Sequence, residues 1–308
     1  MPKPNFFIVG APKSGTTALS EYLREHPNVF MCHPKEPFYF ATDFPKYASS
    51  HVKTEEQYVE LFNKANKDQY MIGEASAIYL YSEQAIQNIR VFSPEAKIIV
   101  MLRNPVDLVY SMHSQLLYSR DEDVIEIQKA WELTSERKQG LRIPKLCRDR
   151  KSLYYDEVAK LGSQLERLMK IFPNEQIKII FAEDFFNNTK AVYQDVLEYL
   201  GVLDDKRTDF PKINQNKHHR LGWLANVTQH PPKKLTNMMM KLKRIIGLEH
   251  IGILRTLRKI NRSEIPRQAL PDKFKIKLTQ AYYDEVVKLS RLTGRDLSHW
   301  VEYKCESH

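Results

Sequence analysis

Two stretches of this chain are apolar at consecutive positions instead of alternating ones, Phe6-Phe7-Ile8-Val9 and Ile98-Ile99-Val100-Met101-Leu102. Ile177 to Phe181, apolar except at Lys178, reads as a short buried strand, and Met71 to Ser76 as a buried strand that ends in a loop. Continuous apolar runs bounded by turn residues fit strands covered on both faces. Between them the apolar positions recur at helical spacing over Thr54 to Ala65, Ser82 to Phe92, Tyr154 to Phe172, and Ala191 to Leu200, the last closed by Gly201. Strands alternating with helices predict an α/β fold: three layers, with a central parallel sheet flanked by helices and ligands at the strand C-termini.

The first strand runs into Gly10-Ala11-Pro12-Lys13-Ser14-Gly15-Thr16-Thr17 and then Ala18-Leu19, a helical continuation. An apolar run, a turn with two glycines and a helix describe a phosphate cradle, in which backbone N–H groups at a helix N-terminus face an anion. The glycine spacing is that of a nucleotide-triphosphate P-loop, but Thr16 stands where such a loop carries its lysine, and Lys13 lies inside the turn instead. The strand ending at Leu102 continues into Arg103, not into a metal-holding aspartate, so magnesium-dependent phosphoryl transfer is disfavoured. Asn104 and Pro105 form a helix start, as N-cap and first helical residue. Arg103 beside that start makes a second anion site near the first, so a ligand with two separated phosphates would fit. Ser111, about two turns along, shares that site only if the anion lies along the helix side.

With these residues the chain resembles the sulfotransferases that use 3′-phosphoadenosine-5′-phosphosulfate (PAPS), in particular bacterial members related to the Golgi carbohydrate and heparan sulfate enzymes. Pro12 to Leu19 is similar to the family's 5′-phosphosulfate loop. Arg103-Asn104-Pro105 with Ser111 resembles its 3′-phosphate element, and Leu292 to Trp300 a closing segment of its bacterial members. The resemblance implies a P-loop-NTPase-like fold and a donor held by Lys13, Ser14, Gly15, Thr16, Thr17, Ala18, Arg103 and Ser111, with adenosine 3′,5′-bisphosphate as product and no metal. A basic loop at the position of Lys212 to Arg220 closes over the 3′-phosphate in such enzymes, which makes Lys217 and Arg220 candidates there. His33 to Phe40 resembles the family's acidic element, so Glu36 is implied as general base and Lys13 as the cation that steadies the bridging oxygen. An adjacent cation at Lys35 weakens a carboxylate as a base, and His26 and His33 are alternatives. Phe38 replaces a more polar residue of the relatives and opens room for a less polar acceptor. Glu74, in a Glu-x-Ser element, is a secondary candidate that shapes the cleft.

The remaining composition narrows the class. The 308 residues are 42% apolar, without repeats or low-complexity linkers, and are expected to form one domain over 1–308. The first strand begins after five residues and no apolar run of 18 exists, so neither a signal peptide nor a membrane span is expected, and the location is read as cytoplasmic. Cys32, Cys147 and Cys305 lack any paired spacing, which supports neither disulfides nor zinc. Adjacent His218 and His219 would point to opposite faces of an extended segment, so they do not form a metal pair. The net charge of +9 is regional: residues 211–277 hold 16 Lys and Arg against 3 Asp and Glu. Leu235 to Ile260 interleaves apolar and basic positions as an amphipathic helix does. Such a region suits a cofactor lid, a groove for an anionic acceptor, or contact with acidic surfaces. The acceptor is expected to be a small molecule or glycan, with no nucleic acid partner. Phe38, Tyr39, Phe40 and Tyr47 fit sugar stacking, phenols or lipid head groups alike. The rival classes are a nucleotide kinase with an irregular P-loop and a polyanion binder acting through residues 211–277.

Overall fold

The computed structural model describes residues 2–45, 47, 52–213, 218–219, 262–263 and 268–302. Lys217, Arg220 and the Leu235–Ile260 pattern lie outside the described residues. Of the basic stretch, the backbone at His218–His219 pairs antiparallel with Arg262–Ser263.

Strands β1 (Phe6–Gly10), β2 (Val29–Met31), β3 (Met71–Ala75), β4 (Lys97–Leu102) and β5 (Ile177–Phe181) form one sheet, ordered β2-β3-β1-β4-β5. Every neighbouring pair is parallel. Helices α1 (Thr16–Arg24), α2 (Glu55–Glu60), α3 (Ala85–Phe92) and α4 (Pro105–Ser119) lie in the first half. They are followed by α5 (Ile127–Glu132), α6 (Thr134–Lys138), α7 (Tyr155–Val158), α8 (Leu161–Ile171), α9 (Ala182–Asn187), α10 (Thr189–Leu200) and α11 (Asp272–Thr293). The sheet explains the continuous apolar runs. Phe6 and Ile8 of β1 join Ile99 and Met101 of β4 in a core shared with Leu19 of α1 and Leu197 of α10. Phe7, Val9, Ile98, Val100 and Leu102 face the other way, against Ile89 of α3, Val109 of α4, Leu165 of α8 and Tyr282 of α11. The expected three layers are therefore present.

Two helices differ from the periodic pattern, and tertiary contacts account for the larger difference. α2 ends at Glu60, after which Phe62, Asn63 and Ala65 bond back three residues instead of four. The segment from Tyr154 to Phe172 divides into α7 and α8. A carboxylate from a distant helix supplies the new start: Glu285 of α11 accepts from Ser163 N at 2.7 Å and from Ser163 Oγ at 2.6 Å. A Cβ on Gly162 would lie 2.5 Å from the Glu285 carbonyl oxygen, so that close approach needs glycine.

The closing segment fastens the C-terminal edges of β4 and β5. Arg295 pairs with Asp184 and, at 2.9 Å, with Glu183 in the first turn of α9, and it covers the Phe181 ring at 4.2 Å. Trp300 donates from Nε1 to Glu183 at 3.2 Å and packs edge-on against Phe181, while its carbonyl accepts from Asn104 Nδ2 at 3.4 Å. Trp300 is 5% exposed. Trp300→Ala should cost about 3–5 kcal/mol of stability, read as a lower denaturant midpoint with unchanged slope; a loss under about 1 kcal/mol would contradict this anchoring.

Candidate active site

β1 is the central strand, and the chain leaves it first toward β3 and later toward β4. The C-terminal ends of β1 and β4 therefore sit at a topological switch point, where open α/β sheets bind ligands. Their pairing continues past the strand, with Ala11 N donating to Met101 O at 2.6 Å. The turn after β1 then closes on α1, whose N-cap is Gly15 at φ 101°. A side chain there would be strained and would press on Met101 and Phe185 at 3.1 Å. Thr16, Thr17 and Ala18 form the first helical turn, where backbone N–H groups have no intrahelical acceptor and the helix dipole favours an anion.

Lys13 occupies the left-handed region at φ 64°, and its ammonium bonds Gln115 Oε1 of α4 at 3.2 Å. The turn and β4 are tied together by Arg103, whose Nη1 donates to Lys13 O at 3.0 Å. Arg103 also approaches Asp107 at 3.5 Å, the surface pair that its spacing allows. Asn104 caps α4, accepting from Val106 N at 2.9 Å, with Pro105 in the first turn. Ser111 is 2% exposed and faces the cleft.

The acidic element is held against the end of β3. Cys32 N and Glu36 N donate to the Gly73 and Ala75 carbonyls at 3.0 and 3.2 Å, and Phe38 N donates to Ser76 Oγ at 3.3 Å. Glu36 and Phe38 both have positive φ, 63° and 55°. Such conformations cost on the order of 1–3 kcal/mol each and persist where surrounding bonds over-determine them. Lys35 pairs with Glu36 at 2.7 Å. Glu74 stands behind this element, fully buried, accepting from Tyr58 Oη at 2.7 Å and Tyr79 Oη at 3.1 Å. Burial pushes its carboxyl up to about 7. Glu74 is outside the lining of the cleft, so it shapes the cleft only through this support.

The cleft itself is a cavity of about 570 Å³. Lys13, Gly15, Thr16, Thr17, Ala18, Glu36, Arg103 and Ser111 all line it. Ser14 is buried beneath the turn, its hydroxyl 3.5 Å from Pro12 O, and is not part of the wall. His26 is also buried: Nδ1 accepts from Asn28 N at 3.1 Å, which leaves Nε2 to donate to Leu203 O at 2.8 Å. His33 is exposed and outside the lining. Glu36 is the acidic residue of a wall that carries three cations, Lys13, Arg103 and Arg148. Among the described residues no three of His, Cys, Asp and Glu gather in a metal-binding arrangement. Of the four aromatics, Phe38 and Tyr47 line the cavity, Phe40 is core, and Tyr39 stacks on Tyr58 away from it. Arg148, Gln115, Ser119 and Phe186 were not foreseen. Arg148 lies in Arg148-Asp149-Arg150-Lys151, which reads locally as a solvated charge run.

The sulfotransferase domain family model matches residues 3–220, and the chain belongs to that family. It is 29% identical over 203 residues to the human bifunctional heparan sulfate N-deacetylase/N-sulfotransferase 3, covering 65% of this chain and 22% of that protein. To mouse carbohydrate sulfotransferase 15 it is 26% identical over 283 residues, covering 73% and 50%. The chain thus spans from about a fifth to half the length of these curated relatives. The crystal structure of a sulfotransferase from Alicyclobacillus acidocaldarius aligns with a TM-score of 0.72 at 25% identity, over 98% of this chain and 100% of that one. No described helix is long and apolar enough to cross a membrane.

Glu74 gives a pH signature. Because burial raises its folded value, its contribution to stability is fully present below the ordinary value of 4.5 and is lost as pH rises through about 7. Glu74→Gln, which stays neutral and can accept from both tyrosines, should therefore gain stability relative to the wild type between about pH 5 and pH 8. Parallel denaturant midpoints for the two proteins across that range would contradict the burial of an ionisable carboxyl here.

Proposed function

We propose that the protein transfers a sulfuryl group from PAPS to a hydroxyl or amine of a carbohydrate or other polar metabolite, leaving adenosine 3′,5′-bisphosphate, without a metal ion. The observation that carries this reading is the convergence, on one cavity wall, of the α1 N-terminus, Lys13, Arg103 and Ser111 on the anion side and Glu36 as the acidic group. Amides and cations of this kind fit a donor with a phosphosulfate at one end and a phosphate at the other. The first-turn amides with Lys13 would hold the phosphosulfate, and Arg103 with Ser111 the 3′-phosphate. When bound, the donor supplies a sulfuryl group on a good phosphate leaving group.

Glu36 takes the proton of the acceptor O–H or N–H as the new bond to sulfur forms in line. Lys13 stabilises the electron pair that returns to the phosphate oxygen as the old S–O bond breaks. General-base assistance is typically worth about 10²–10⁴-fold, and a fixed cation at the developing charge as much or more. The pair with Lys35 fixes the Glu36 carboxylate while competing for its oxygen, so an incoming acceptor must share Oε1 or use Oε2. The relatives' names support a glycan acceptor. We also propose a cytoplasmic location.

Radiolabelled donor supplied with host extract should yield a labelled product. Glu36→Gln should lower kcat by about 10²-fold or more with nucleotide affinity nearly intact, whereas Lys13→Ala should lower both. Turnover within a factor of about three of wild type in the two variants would refute these roles.

A further inference from the structure

One face of α4 runs along the cavity and orders what lies on it. Ser111, Gln115 and Ser119 line the wall at successive helical turns, spanning about 12 Å. Arg103 precedes the N-terminal end of this face, and Lys13 bonds Gln115 at its middle. Past that point Ser119 Oγ donates to Asp121 at 2.6 Å, and Asp121 holds Arg148. Arg148 therefore stands beyond Lys13, on the side away from the phosphate end, and its charge is close enough to feel Glu36.

The fixing of Arg148 is thorough. Its Nε lies 3.1 and 3.2 Å from the two Asp121 oxygens, Nη2 lies 2.6 Å from Oδ2, and its backbone N donates to Oδ1 at 2.9 Å. The guanidinium covers the Tyr47 ring at 4.8 Å, and Tyr47 meets Phe38 edge-on at 5.4 Å. The Asp121 side chain is wholly closed off while 43% of the Arg148 side chain remains exposed, at the cavity wall. Nη1 makes no hydrogen bond among the described residues.

We propose that Arg148 reads the acceptor: it donates from Nη1 to a carboxylate or sulfate on a ring that rests against Phe38 and Tyr47, so that anionic acceptors are preferred over neutral ones. The inference rests on the sulfuryl-transfer reading, which makes the Glu36 side of the cavity the acceptor side. Because Asp121 offsets the charge, Arg148 acts through directed N–H bonds at a fixed point, which separates one acceptor from another more than it raises affinity for all. Phe38, which lines the cavity and meets Tyr47 edge-on, then supplies the apolar face of the same subsite.

The test uses the whole protein loaded with adenosine 3′,5′-bisphosphate and titrated with phenyl glucuronide, the 6-sulfated phenyl glucoside and the neutral phenyl glucoside. The wild type should bind at least one anionic ligand about tenfold more tightly than the neutral one, and the stronger of the two identifies the oxyanion. Arg148→Ala should erase the difference. Arg148→Lys, which keeps Asp121 paired but loses the fork, should keep part of it. Nucleotide affinity should be unchanged in both variants. Equal binding of the three ligands, no binding of any, a preference that survives Arg148→Ala, or weaker nucleotide binding in Arg148→Lys would each overturn the proposal. A wild type that fails to take up the bisphosphate would instead sink the donor reading and this inference with it.

Discussion

The parallel pairing of β1 with β4 is the constraint from which the site follows. It aligns Gly10 with Val100, carries on through the Ala11 to Met101 hydrogen bond, and brings the two post-strand turns side by side. Each turn opens a helix: the first turn of α1, with no side-chain cap, faces the cleft with its amides, while α4 starts from its Asn104 cap and sends Arg103 and Ser111 to the cavity wall. Arg103 then fastens one turn to the carbonyl of the other at Lys13. An anion held there would meet backbone dipoles and two cations whose positions Gln115 and the Lys13 carbonyl already fix.

Rigidity of the acidic element has a different origin. Glu36 and Phe38 are non-glycine residues in the left-handed region, and both line the cavity. The backbone bonds from Cys32 and Glu36 to β3, and from Phe38 to Ser76, hold that conformation, with Glu74 fixed beneath by two tyrosines. The Glu-x-Ser pair thus acts as scaffold for the acidic element. The closing segment does comparable service elsewhere: Arg295 and Trp300 brace α9, whose Phe185 packs on Gly15, and Trp300 orients the Asn104 cap.

Much of this was legible in the sequence because its causes are local. Glycine spacing, the Lys13 displacement and the Arg103-Asn104-Pro105 start each encode a backbone conformation within a few residues. The runs at Phe6 and Ile98 encode burial on two faces. What stayed hidden was made by distant partners. The break between α7 and α8 depends on Glu285, more than a hundred residues away. Phe38 and Tyr47 could not be told from Tyr39 and Phe40 until the chain path put two in the cavity, one in the core and one on another surface. Arg148 carries no local signal, because its meaning comes from Asp121 and Tyr47. β2 is only three residues long, too short to register as a strand pattern.

Isothermal titration of the intact protein with adenosine 3′,5′-bisphosphate, and separately with ATP and magnesium, tests most directly whether the joined turns select a bis-phosphorylated adenosine. The account predicts tight, metal-independent binding of the bisphosphate and little heat from ATP. Strong binding of ATP with magnesium, and none of the bisphosphate, would contradict it.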